Sequence, residues 1–75
     1  MSQDTDRLRE LRYVLEVATL AIPREREARD RYLGAARRAP GEMARRIFEE
    51  MARQEEQHEA QLRALITHLE EELAR

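Results

Sequence analysis

Apolar residues recur every three or four positions along two long stretches of the chain. They are Leu8, Leu11, Leu15, Ala18, Ile22, Ala28, Tyr32 and Ala35 in the first stretch, and Ala44, Ile47, Met51, Leu62, Leu65 and Leu69 in the second. A repeat of three and four is the period of an amphipathic α-helix. The pattern therefore predicts two helices, over about residues 5–38 and 42–74.

The strongest break in this pattern is Ala39-Pro40-Gly41, which predicts a turn over residues 39–41. Two long helices joined by so short a turn are expected to lie antiparallel, as a single helical-hairpin domain. Asp4 or Thr5 is expected to cap the first helix, and Gly41 suits the start of the second. Pro23 lies inside the first pattern, whose phase it does not change, so we expect a kink there rather than a break.

The composition narrows the class of protein. Charged residues make up 40% of the chain and aromatic residues 4%, which is typical of an all-α bundle. The net charge of -2 gives no basic surface for nucleic acid, and no apolar run is long enough to cross a membrane. No Cys is present, so neither disulfides nor thiolate metal sites are available. A cytoplasmic location is expected.

A two-helix hairpin buries one seam and leaves its other side uncovered. A second copy of the chain could cover that side and complete a four-helix bundle. We therefore expect a homodimer as the smallest stable unit.

Three polar residues interrupt the apolar pattern at one level of the hairpin. Glu25 lies 15 residues before Pro40, and Glu55 lies 14 residues after Gly41. At about 1.5 Å of rise per residue, both lie roughly 21–23 Å from the turn. His58 is three residues beyond Glu55, so it projects from the same face of the helix. The three side chains are expected to converge.

This convergence favours a metal site. A dimer would bring four carboxylates and two imidazoles together, and four negative charges match two divalent cations. Glu from two helices with Glu-x-x-His from two others is the ligand set of di-iron and di-manganese bundles, and this chemistry suits Fe or Mn. Two other interpretations stay open. The segment could be a solvated charged face, with Glu25 paired to Arg24 or Arg26, or a buried polar layer that sets register in a metal-free oligomerisation module.

Two segments resemble a known family. EREARDRY (residues 25–32) and IFEEMARQEEQHEAQL (residues 47–62) resemble the rubrerythrin pattern of the ferritin-like superfamily. The matching positions of the second segment are Phe48, Ala52, Glu55, His58 and Leu62. Because the chain holds one such half-site, it looks most like the two-helix encapsulated ferritins.

The resemblance implies a ferroxidase that oxidises Fe(II) to Fe(III) with dioxygen or peroxide, for iron storage or detoxification. By resemblance, Glu25, Glu55 and His58 are the metal ligands of a di-iron centre between subunits, where Mn or Zn could substitute. Tyr32 would lie just outside the ligands, and Glu27 on the iron approach route. A decamer of five dimers and an encapsulin shell are also implied, although EEELAR (residues 70–75) does not resemble a shell-targeting tail. The alternative activity is rubrerythrin-like peroxide reduction.

Overall fold

The computed structural model describes residues 2–75, which form two α-helices packed against each other. Helix α1 spans Ser2–Arg38 and helix α2 spans Glu42–Ala74. Contacts join the beginning of α1 to the end of α2, through Arg7 and Glu72, so the helices run antiparallel in a rod of 60 × 14 × 13 Å. The predicted all-α hairpin is confirmed. Over these residues, neither helix has a stretch both long and apolar enough to cross a membrane.

The helix ends differ in part from the expectation. Helix α1 begins at Ser2, so Asp4 lies inside its first turn, and the prediction that Asp4 or Thr5 caps this helix was wrong. Asp4 instead places a negative charge near the positive end of the helix dipole. Gly41 precedes α2 with an extended backbone, and its carbonyl oxygen accepts the first hydrogen bond of α2 from the Arg45 N–H at 3.1 Å.

Helix α1 continues through Pro23 without a break. Proline has no N–H to donate to the carbonyl four residues earlier, which here belongs to Thr19. The Thr19 hydroxyl donates to the Leu15 carbonyl oxygen at 2.8 Å, one turn further back. The apolar residues keep the same helical phase on both sides of the proline, so both halves of α1 face α2.

The seam between the helices is narrow because its most buried residues are small. Ala52 is only 1% exposed, and Ala18, Ala36 and Leu69 are exposed by 5% or less. Alanine side chains allow two helix backbones to approach closely, so little space remains between them. Ala36, rather than the expected Ala35, is the alanine that is fully buried near the turn.

Several residues expected in the seam are exposed instead. Leu8 is 37% exposed, Ile47 51% and Leu65 39%. The prediction assigned the residues of each apolar repeat to one buried stripe per helix, whereas a hairpin offers each helix only one neighbour and can bury only part of a wide stripe. The remaining apolar residues lie beside the seam.

Some of the residues beside the seam form two lines on one side of the hairpin, which we refer to as the open face. Each line repeats every seven residues, which returns a helix to nearly the same direction. Ala21 and Ala28 flank Glu25 on α1, and Glu25 contacts His58 on α2, so the two lines lie on the same side. The open face consists of Val14, Ala21, Ala28 and Ala35 on α1 and Ala44, Met51, His58 and Leu65 on α2.

Candidate metal centre

Glu25, Glu55 and His58 meet across the two helices. Each offers one ligand atom, and these atoms all lie within 4.8 Å of one another. His58 Nδ1 is 3.2 Å from a carboxylate oxygen of Glu25 and 3.6 Å from one of Glu55. The structure therefore brings together the three residues that the sequence predicted to converge, with one from α1 and two from α2.

The three side chains differ in exposure. The Glu25 side chain is 24% exposed and the Glu55 side chain 17%, because both point into the seam. The His58 side chain is 53% exposed and lies on the open face, between Met51 and Leu65 of the same line. The cluster is thus closed on the seam side and accessible from the open face.

Glu25 changes the acidity of Glu55, the second carboxyl group of the cluster. The pKa of Glu55 is raised above its ordinary value, first by a hydrogen bond with Glu25, then by burial and by the negative charge of Glu25. His58 opposes this shift, but less strongly. A proton held between the carboxyl groups relieves their repulsion, and a divalent cation would do the same with a larger charge.

The donor set fits a divalent metal ion of the iron or manganese type. Two carboxylates and one neutral imidazole supply oxygen and nitrogen atoms and two negative charges, which balance one such ion per chain. Within residues 2–75, this is the one group of three or more His, Asp or Glu side chains close enough to hold a metal.

The surface ion pair considered for Glu25 does not form with Arg26. The Arg26 guanidinium binds Glu59 on α2, at 3.1 Å from Nε and 3.2 Å from Nη2. The carboxylate of Glu25 contacts His58 instead. Glu25 is therefore directed toward the cluster and not toward its neighbour in the sequence.

The other candidate residues lie further away. Tyr32 is two turns along α1 from Glu25, about 10 Å along the axis, and its ring stacks on Phe48 with centroids 6.4 Å apart. Glu27 is exposed, and its helical phase turns it away from the seam. His68, the second histidine of the sequence and a weaker candidate ligand, is also exposed. The structure brings none of these three into the cluster, and the roles predicted for Tyr32 and Glu27 stay predictions.

Glu59 is the polar residue that the sequence analysis missed. Its side chain is only 16% exposed, and it binds Arg26 from α1 and Arg63 from α2, the latter at 3.0 Å. These two arginines, Arg26 first, hold the pKa of Glu59 below its ordinary value. The available signal was spacing: Glu59 lies four residues after Glu55, on the three-and-four repeat that continues through Leu62 and Ile66.

A comparison with protein-family models identifies one family, described as Rubrerythrin, over residues 16–75. No curated protein and no solved structure gives a match. The matched region contains most of α1, all of α2 and the three residues of the cluster. Because the match extends over well more than half of the sequence, the chain belongs to the rubrerythrin family of the ferritin-like superfamily.

Proposed function

We propose that this chain is a ferritin-like di-iron ferroxidase whose site is shared between two subunits. The observation that carries the proposal is the meeting of Glu25, Glu55 and His58 within 4.8 Å at the edge of the open face. Family membership supports a di-iron oxidoreductase-type role in general. The resemblance to the two-helix encapsulated ferritins supports the particular reaction proposed, oxidation of Fe(II) for storage or detoxification.

The exposure of the cluster supports a site shared between two subunits. Three donors from one chain fill only part of the coordination sphere of an iron ion, and His58 is 53% exposed on an apolar surface. A second hairpin packed on the open face would cover Met51 and Leu65 and bring a second set of donors. The pair would then hold four carboxylates and two imidazoles, which balance two divalent ions. A decamer and an encapsulin shell are proposed from the family resemblance alone.

The residues of this chain would hold the metal ion and neutralise its positive charge. The carboxylates of Glu25 and Glu55 would face the metal and supply two negative charges. Neutral His58 adds a nitrogen donor without adding charge. Carboxylates can change between one and two contacting oxygens as the charge of a bound ion changes, which suits a redox site. Bound Fe(II) would supply the electrons that reduce dioxygen or peroxide.

Native mass spectrometry with and without anaerobic Fe(II) tests this proposal. We expect even-numbered oligomers that gain two irons per dimer, and absorbance of Fe(III) after dioxygen is added. An oligomer that forms without retaining iron would overturn the proposal. It would favour the metal-free module instead, in which the polar layer of Glu25, Glu55 and His58 sets register.

Rubrerythrin-like peroxide reduction is the second candidate, and membership of the rubrerythrin family favours it. This activity consumes electrons continuously, so it needs a donor that returns the irons to Fe(II). The sequence has no Cys to build a thiolate-held redox centre within this chain. Turnover of hydrogen peroxide with an added electron donor and no free Fe(II) separates the two candidates, because only peroxide reduction draws electrons from such a donor.

A further inference from the structure

A second polar contact crosses the hairpin directly beside the candidate metal centre. Arg26 follows Glu25 in the sequence, and Glu59 follows His58. The Arg26–Glu59 ion pair and the Glu25–His58 contact therefore have the same separation of 33 residues. Arg26 binds both carboxylate oxygens of Glu59, through Nε at 3.1 Å and Nη2 at 3.2 Å. Two parallel bonds fix the relative orientation of the two groups.

The two contacts lie on opposite sides of the seam. Successive residues of an α-helix point about 100° apart, so Arg26 and Glu59 are turned away from the open face. Although Glu59 is turned away from the open face, only 16% of its side chain is exposed, because three guanidinium groups surround it. Arg29 of α1 approaches to 4.0 Å, and Arg63 of α2 binds at 3.0 Å.

We propose that the Arg26–Glu59 pair is a clamp that sets the register of the two helices at the height of Glu25, Glu55 and His58. Both members are positioning residues for the metal site, and this inference rests on the proposed function. A slip of one residue moves a helix by about 1.5 Å and turns it by about 100°. Metal sites tolerate displacements of only about 0.5 Å, so a contact next to two of the ligands has a direct effect on them.

A simple electrostatic effect is the competing explanation, because each arginine near Glu59 also changes the charge near the cluster. Arg63 makes the distinction possible. It binds the same carboxylate from the same helix, four residues away, and so does not link α1 to α2. Replacing Arg63 removes one positive charge from beside the Glu59 carboxylate and leaves the cross-helix contact with Arg26 in place.

The test compares Arg26→Gln with Arg63→Gln and with Arg53→Gln. Arg53 pairs with Glu50 within α2 at 2.6 Å, with a side chain 59% exposed against 50% for Arg26, which makes it a matched control. Co(II) serves as the probe, because its affinity is measured by calorimetry and its visible absorption reports the coordination geometry. The melting temperature of the metal-free protein is measured in parallel.

For Arg26→Gln we expect about a tenfold loss of Co(II) affinity and an altered absorption spectrum. Tenfold is the low end of the effect seen when residues that support metal ligands are replaced. The Co(II) affinities of Arg63→Gln and Arg53→Gln should stay within about twofold of that of the unchanged protein. Their absorption spectra should be the same as its spectrum. Arg26→Lys keeps the charge but loses the paired geometry, so it should recover only part of the affinity. It also serves as the informative variant if Arg26→Gln does not fold.

Three outcomes would overturn the clamp. Unchanged affinity and spectrum in Arg26→Gln would show that the pair does not position the ligands. An equal loss in Arg63→Gln would assign the effect to charge. Full recovery in Arg26→Lys would show that the paired geometry is not needed. Unchanged protein that binds neither Co(II) nor Fe(II) would overturn the proposed function itself, which is a distinct result.

Discussion

His58 of α2 and Glu25 of α1 lie in contact across the hairpin, with Nδ1 3.2 Å from the carboxylate oxygen. These residues are 33 positions apart, so they come together only when the two helices have packed. A ligand that binds both therefore binds the folded hairpin and not the unfolded chain. Metal binding and folding should be coupled in this protein.

The first prediction concerns this coupling. Fe(II) under anaerobic conditions, or Co(II), should raise the melting temperature of the protein, and Glu55→Gln should abolish the rise. At a free metal concentration of 100 times Kd, the expected stabilisation is about 2.7 kcal/mol per site. The measurement is thermal unfolding followed by circular dichroism.

Glu56→Gln is the matched control for this prediction. Glu56 is the next residue along α2, is exposed, and lies outside the cluster. Its substitution should leave the metal-dependent rise intact. A rise that disappears equally in both variants would contradict the assignment of Glu55, and a rise that survives in Glu55→Gln would do the same.

The second prediction concerns pH in the absence of metal. The folded-state pKa of Glu55 is raised above 4.5, mainly by its hydrogen bond with Glu25. The protonated form of Glu55 therefore stabilises the fold below pH 4.5, the ordinary pKa, and this contribution is lost as the pH rises through the folded-state pKa. Glu55→Gln keeps an uncharged hydrogen-bonding group there at every pH. The variant should thus gain free energy of unfolding relative to the unchanged protein as the pH rises above 4.5.

Urea unfolding at several pH values measures this difference. The comparison with the unchanged protein matters because Glu59 acts in the opposite direction. Its pKa is lowered by Arg26 and Arg63, so its contribution is present above the ordinary value and lost as the pH falls. A difference between Glu55→Gln and the unchanged protein that is flat with pH would contradict the prediction.

The sequence predicted the hairpin because its determinants are local. The apolar period and the Ala39-Pro40-Gly41 turn define both helices, and equal distances from the turn bring Glu25 level with Glu55. What could not be predicted from the apolar pattern is which part of a wide stripe becomes buried. Ile47 stays 51% exposed because α1 covers only one side of α2.

The cross-helix ion pair was missed for a different physical reason. Glu59 is charged, and a charged residue in a polar segment is ordinarily assigned to the surface. Its burial depends on Arg26, which comes from the other helix and reaches the seam through a long side chain. The three-and-four repeat places Glu59 on the seam side of α2, but it does not identify the partner on the other helix.

The third prediction concerns the open face. Leu65 is 39% exposed in the hairpin and lies on the same line as His58. Leu65→Glu should disrupt a dimer that packs on this face and halve the mass in solution, because unpaired carboxylates in an apolar interface are costly. Analytical ultracentrifugation measures the change.

Met43→Glu is the control for the oligomeric state. Met43 is 78% exposed and lies on α2 away from the line of Leu65. This substitution should leave the mass unchanged. If Leu65→Glu keeps the mass of the unchanged protein, the open face is not the subunit interface, and the proposal of a shared site loses its structural basis.

The last prediction concerns the width of the seam. Ala52 is 1% exposed and lies three residues before Glu55, so a larger side chain there must push the helices apart. Ala52→Leu should lower the free energy of unfolding by about 1–3 kcal/mol, as expected for overpacking. It should also weaken metal binding, since Glu25 and Glu55 project from opposite helices. Ala60→Leu adds the same atoms at an exposed position of α2 and should change neither quantity. A stable Ala52→Leu variant with unchanged metal affinity would mean that close approach at Ala52 does not set the spacing of the ligands.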